Sequence, residues 1–415
     1  MDKYTRVLFA PGHGRLEDQD NLFTPMRMVF AGIVLYAHAL MMVLPWPVMG
    51  PWAQTIDFAG QHALNAFFVL SGYMILASLR ASRSVLAYAI NRVFRVFPLL
   101  IVVTLLTVMI AGPALSGIAP LDYLARAESW AYALGVISQA HPTAPLPFEA
   151  SGLQAAQSAN APLWTVRYEL IGYAGLGVLM LVGVLRKGWA LPVLLAVIVG
   201  VSALHANTGY TGPHPEGVSA ALRFATGFLL GAVLWDWRDR IGLSWALVLA
   251  SICAAIATYG TPFHQSFDIL ATAVLALRVG YLKLPATRLW QRIKGVEDLS
   301  YGIYIIHWPV GLLIMVLASQ IGLQPGTTSV ALAMTLISVA LAWPLRIFVE
   351  RPFQRWGRII ARGRWAVRVA RAPAAEPPPF PRRVQAPTRA RNCRPAGQGP
   401  VGPPQRPRSA RRGGL

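Results

Sequence analysis

Apolar runs of about twenty residues recur along most of the chain. A helix rises about 1.5 Å per residue, so each run matches roughly 30 Å of bilayer hydrocarbon. Lipid offers no hydrogen-bond partner to a bare backbone, so such runs must cross as helices. Ten runs qualify, at about 25–44, 62–80, 96–113, 163–185, 189–205, 219–236, 243–259, 266–281, 300–319 and 328–349. The composition agrees: 55% of residues are hydrophobic, 13% are charged, and mean hydropathy is +0.48. A soluble chain of 415 residues has no need of so much apolar surface. The expected fold class is an all-α, polytopic membrane helical bundle of about ten transmembrane helices.

The connecting loops alternate in charge. Loops after even-numbered spans carry Arg80, Arg83, Arg92 and Arg95, then Arg186 and Lys187, then Arg238 and Arg240, then Lys283, Arg288, Arg292 and Lys294. Loops after odd-numbered spans carry no Lys or Arg except Arg126 in the long 114–162 connection. Basic loops stay on the cytoplasmic side, which places both termini there in a plasma membrane, the inner membrane of a bacterium. An apolar patch at 130–140 is too short to span, and counting it would break the alternation.

The net charge of +20 suggests nucleic acid only until its distribution is read. Sixteen arginines lie between Arg351 and the C-terminus, in sequence rich in Pro and Gly. No basic patch interleaved with aromatics marks a soluble domain, so no nucleic-acid partner is expected. Three segments follow: a polar segment at 1–24 without the look of a cleavable signal, a membrane domain at 25–355, and a basic tail at 356–415. The tail has too few large apolar residues to build a core and reads as disordered and cytoplasmic. Cys253 and Cys393 show neither metal spacing nor a disulfide framework.

Ionisable groups inside spans are costly and point to function. Arg27 and His38 sit eleven residues apart in the first span. At about 100° per residue they share a helix face, about 16 Å apart along the axis. Arg27 can snorkel to the headgroups or face the bundle; His38 can be a packing residue or a proton acceptor near neutral pH. Arg92 and Arg95, followed by Pro98, form a forked cationic surface one helical turn wide. That is either a positive-inside cluster or an anion site, most simply for phosphate. Glu169 opens the fourth span, where Arg167 or Arg223 could pair with it. In the ninth span Ser300 and His307 share a face, Tyr304 and His307 lie one turn apart, and Tyr301 stands beside them; aromatic belt and packing compete with a functional role. Gly72 reads as a close helix contact and Ser71 as a helix-to-helix hydrogen bond. No metal cluster, nucleophile elbow or dinucleotide motif occurs.

Taken together, these segments resemble the acyltransferase-3 family of integral membrane O-acyltransferases, from about 22 to 355. The pattern Arg-x10-His falls on Arg27 and His38. Phe67-Phe-Val-Leu-Ser-Gly-Tyr73, Arg92-x-x-Arg95 with Pro98, and Leu163-Trp-Thr with Glu169 each resemble a family segment. So do Arg223-Phe-Ala-Thr-Gly-Phe-Leu-Leu-Gly231, Leu299 to Pro309, and Glu350-Arg-Pro-Phe353. Two departures stand out. The family often has a second acid after the position of Glu169, where this chain has Leu170. Many relatives carry a C-terminal hydrolase-like domain, where this chain has the basic tail.

The resemblance implies transfer of an acyl group, most often acetyl, from cytoplasmic acyl-CoA to a hydroxyl of a cell-surface or exported glycan, free or lipid-linked. It implies no permanently bound cofactor and no metal, with acyl-CoA as co-substrate. His38 would be the general base, with Arg27 and Glu169 assisting. Arg92, Arg95 and Ser71 would hold the donor, and Trp164, Arg223, Tyr301 and His307 would bind the acceptor or support the site. The alternative is a transporter or flippase of a lipid-linked or organic substrate, which polar residues in a ten-span bundle also suit.

Overall fold

The computed structural model describes residues 21–44, 50–208, 215–282 and 296–369. All regular structure among them is helical. Seven helical segments are long and apolar enough to cross a membrane: Phe23–Val43, Pro51–Ala81, Val85–Ser116, Ala190–Thr208, Gly217–Asp236, Ser300–Gln320 and Thr327–Gly363. The other three expected spans are helices too, at Trp164–Leu181, Trp245–Ala257 and His264–Gly280, but they are shorter or more polar. The first carries Arg167 and Glu169 and the last carries Asp268 and Arg278, so polar groups lower their hydropathy.

In chain order the helices are α1 (Phe23–Val43), α2 (Pro51–Ala81), α3 (Val85–Leu106), α4 (Gly112–Ser116), α5 (Pro120–Leu124), α6 (Ala127–Ile137) and α7 (Trp164–Leu181). Then come α8 (Ala190–Thr208), α9 (Pro215–Asp236), α10 (Trp245–Ala257), α11 (His264–Gly280), α12 (Ser300–Gln320), α13 (Thr327–Leu345) and α14 (Arg351–Val369). The apolar patch near 130–140 becomes α6, whose eleven residues are too few to cross. α14 runs through Val369, so the expected tail boundary at 356 falls inside a helix. The rest of the tail, 370–415, and most of the 1–24 segment lie outside the described residues.

α2 is central and packs on α1, α9 and α11. Its contact with α9 is close because glycines remove side chains there. A Cβ on Gly72 would overlap the carbonyl of Phe228, and one on Gly231 would overlap the carbonyl of Val69. Gly227 and Gly231 are four residues apart on α9, the small-residue spacing that lets membrane helices approach without a hydrophobic driving force. The side chains of Ile171, Leu181, Val197, Leu249, Leu332 and Leu336 stay exposed, as a lipid-facing surface requires.

Two helices continue through π-turns. Thr107–Ala111 joins α3 to α4, and Arg346–Glu350 joins α13 to α14. A π-turn inserts one extra residue and re-aims the side chains beyond it. The second one delivers Glu350 into the bundle, where it is 2% exposed.

Candidate active site

One cavity joins most of the expected site residues. It has an empty volume of about 1000 Å³, and its lining includes Arg27, Ser71, Arg92, Arg95, Glu169 and Tyr301. Helices α1, α2, α3, α7 and α12 each contribute. Ser300 and Tyr304, which the sequence set beside His307, also line it, and so do Tyr173 and Thr165, to which the sequence had given no role.

One end of the cavity is charged. Arg27 Nη1 lies 3.4 Å from Asp298 Oδ2, and Arg95 Nη2 lies 3.8 Å from the same oxygen. Arg95 Nη1 donates to Glu350 Oε2 at 2.5 Å, and Arg346 Nη1 donates to that oxygen at 3.0 Å. Asp298, just ahead of α12, also accepts from the Ser300 hydroxyl at 2.5 Å and the Ser300 amide at 3.1 Å. Burial alone would raise the Asp298 pKa. The Arg27 and Arg95 guanidinium groups and the Ser300 donors outweigh it and bring the carboxyl down to about 2. Next to it, Glu297 pairs with Arg346 at 3.3 Å and with Arg351. Burial opposes the ionised form of Glu297, but the two arginines hold its pKa below the usual range.

The arginines therefore differ in availability. Arg95 is committed to two carboxylates. Arg92 has no carboxylate partner among the described residues; it reaches Ser78 Oγ at 3.5 Å and lies 5.9 Å from the ring centres of Tyr88 and Tyr173. The Nε groups of Arg27 and Arg92 are buried without a hydrogen-bond partner. Buried donors left unpaired favour an anionic ligand.

Midway along the cavity Glu169 Oε1 accepts from Ser71 Oγ at 3.1 Å and from the Tyr173 hydroxyl. Neither Arg167 nor Arg223 meets it. Arg167 donates to the carbonyls of Gln139 and Ala140 at 2.9 and 2.7 Å. Arg223 is taken by Asn65 Oδ1 at 2.7 Å, Gln61 Oε1 at 2.5 Å and Gln61 O at 2.8 Å. Trp164 faces a different cleft, because residues 164 and 168 share one face of α7 while 165, 169 and 173 line the cavity. Tyr301 lies at the charged end, 5.6 Å from the Arg95 guanidinium, with its hydroxyl on the carbonyl of Val96 at 2.9 Å.

The histidines lie beyond Tyr304, whose ring centre is 6.0 Å from that of His307. His38 and His307 are stacked with an interplanar angle of 4°, and His38 Nδ1 is 2.7 Å from His307 Nε2. His307 Nδ1 is 3.0 Å from the carbonyl of Ile303. A carbonyl can only accept, so His307 Nδ1 carries the proton and its Nε2 presents a lone pair. His38 Nδ1–H then donates to that lone pair. The second nitrogen of His38, Nε2, is left as a free base. Trp308 packs edge-on against His38 at 5.2 Å and donates from Nε1 to the carbonyl of Ser158 at 2.7 Å. His307 is 1% exposed, whereas His38 is only partly buried.

Among the described residues, no three His, Cys, Asp or Glu side chains cluster as a metal site. The site thus joins an anion-favouring end to a polarised imidazole. A family model described as an acyltransferase domain matches residues 25–347. The chain belongs to this acyltransferase family. It is 27% identical over 320 residues to nodulation protein 10 of Rhizobium leguminosarum bv. viciae, covering 72% of this chain and 84% of that one. It is 25% identical over 341 residues to an O-acetyl transferase of Shigella phage Sf6, covering 81% of this chain and 96% of that one. No solved structure matches it significantly. This acyltransferase is a multi-pass membrane protein, and the transporter alternative is not retained.

Proposed function

We propose that the acyltransferase moves an acyl group, most simply acetyl, from cytoplasmic acyl-CoA to a hydroxyl of an exported or cell-surface glycan. It does so from a plasma membrane, the inner membrane of a bacterium. In this reading all ten expected helices span, with α7, α10 and α11 completing the seven, and both termini are cytoplasmic. The membrane domain occupies 25–355, ahead of the basic segment. The loop charges support this topology, in which the charged end of the cavity faces the cytoplasm.

The phosphates of the donor meet Arg92 and Arg27, whose buried Nε groups lack partners. Arg95 serves the donor differently from the expectation. Its charge is spent on Glu350 and Asp298, so it fixes the walls of the anion end. Ser71 is spent on Glu169, and together they shape the middle of the cavity. The thioester extends past Tyr304 toward His38. His38 Nε2 takes the proton from the acceptor hydroxyl as its oxygen attacks the thioester carbon. The C–S bond breaks, and the CoA thiolate leaves with the proton that His38 releases. Such base catalysis contributes about 10²–10⁴-fold. His307 holds His38 in the reactive tautomer.

The observation that carries this reading is the relay from Ile303 O through His307 to His38, which leaves the lone pair on Nε2. The test supplies radiolabelled acetyl-CoA to membranes and follows label into glycan. Wild type is expected to incorporate label and His38→Ala to lose at least 100-fold at equal protein level. Equal incorporation by both would remove His38 from the chemistry.

A further inference from the structure

A second cleft lies against the other face of the first turns of α7. It has an empty volume of about 770 Å³, and its walls include His141, Thr143, Trp164, Arg167 and Tyr168. Its aromatic wall is built rigidly. Trp164 and Tyr168 meet edge-on at 5.8 Å, and both pack on Phe224, at 5.3 and 5.5 Å. Phe224 is 1% exposed, and the Tyr168 hydroxyl donates to the carbonyl of Gly217 at 3.1 Å. Rings fixed in advance offer apolar surface with little entropy left to lose on binding.

The cationic wall is also fixed. Arg167 donates to two neutral carbonyls, of Gln139 and Ala140, and has no carboxylate partner among the described residues. Gln139, which supplies one of them, has φ of +61°. A non-glycine residue in the left-handed region is strained and persists where surrounding contacts enforce it. Here it turns the carbonyl toward Arg167, and the guanidinium keeps its charge for something else.

The cleft shares a wall with the histidine site. Between Ser158 and Thr165 the chain is tied to α12 at three points. Trp308 Nε1 donates to Ser158 O at 2.7 Å, the Tyr304 hydroxyl donates to Pro162 O at 3.1 Å, and that hydroxyl lies 2.7 Å from Thr165 Oγ1. Trp308 and Tyr304 are the two rings beside the histidine pair.

We infer that this cleft docks the sugar of the acceptor, with a pyranose against Trp164 and Tyr168 and an anionic substituent, carboxylate or phosphate, at Arg167. Aromatic faces match the C–H face of a pyranose, and a guanidinium forks onto either anion. The inference rests on the acyl-transfer reading for the word acceptor, but its test uses no donor. Transfer and docking can therefore fail separately.

The full chain in lipid nanodiscs is titrated with methyl glucoside, methyl glucuronide and methyl glucoside 6-phosphate, and binding is read by saturation-transfer NMR. Wild type is expected to bind at least one anionic probe no less than fivefold tighter than the neutral one. Arg167→Gln erases that advantage and Arg167→Lys retains most of it. Trp164→Ala weakens all three probes at least fivefold. The tighter anionic probe identifies the group read: uronate if the glucuronide, a sugar phosphate if the 6-phosphate. Binding of none of the probes, or an anionic advantage that survives Arg167→Gln, would overturn the inference.

Discussion

The charged end of the cavity and the histidine pair beyond Tyr304 are stabilised by different physics. At the charged end, Arg27, Arg95, Asp298, Glu350 and Arg346 form one chain of ion pairs running from α1 and α3 through the start of α12 to the π-turn after α13. Beyond Tyr304, His38, His307 and Trp308 are held by neutral hydrogen bonds and ring packing. Buried charges bind strongly as a set, and removing one strands its partner. A neutral relay is cheaper to break but fixes which nitrogen carries a proton. The charged end thus fixes the walls and a place for an anion, and the neutral end fixes reactivity.

Mutations should separate the two. The largest effect on activity is expected from His38→Ala, at least 100-fold on acyl transfer with an unchanged unfolding midpoint. The largest effect on folding is expected from Glu350→Gln. It leaves Arg95 and Arg346 facing each other and should cost about 3 kcal/mol, read as a lowered midpoint in detergent melts. If Glu350→Gln instead left stability intact and abolished transfer, the division between the ends would be wrong. His307→Phe removes the acceptor for His38 Nδ1–H without opening a large void. Transfer should fall about tenfold, mostly in kcat, with His307→Gln retaining more because its amide oxygen can accept. Ser71→Ala removes one of two donors to Glu169 and should cost about 1 kcal/mol, a roughly fivefold change in donor KM.

Acid gives the most selective effect. The Asp298 carboxyl titrates at about 2 in the folded protein. The unfolded value is about 3.9, so its contribution to stability is complete above about pH 4 and fades as pH falls toward 2. Melts of wild type and Asp298→Asn should converge over that window. A constant gap would show that Asp298 does not titrate there.

Much of this site could be read from the sequence, and the limits have physical causes. Helical period put Arg27 and His38 on one face, and the polar residues of the later spans marked the rest of the cavity. Periodicity speaks only within one helix, however. That Arg95 would meet Glu350, 255 residues away, depends on a π-turn that no hydropathy pattern announces. His307 was visible as an intramembrane histidine, but its bond to His38 joins α1 to α12 across 269 residues. Asp298 sits in an ordinary-looking loop and was missed. Glu169 was expected to pair with Arg167 or Arg223, but charge attraction is a poor guide where backbone carbonyls and amide side chains lie closer. Three expected spans, α7, α10 and α11, fall below the length or the hydropathy of a clear crossing. In α7 this follows partly from the residues that line the cavity.

The central claim is that His38 Nε2 carries the lone pair because His307 holds the proton on the other nitrogen. Histidine-selective ¹⁵N NMR of the protein in nanodiscs tests it, with the two resonances assigned by His38→Gln and His307→Gln. The account predicts neutral rings at pH 7.5, both protonated on Nδ1, with a hydrogen-bond coupling from His38 Nδ1–H to His307 Nε2. A His38 ring protonated on Nε2 would contradict it.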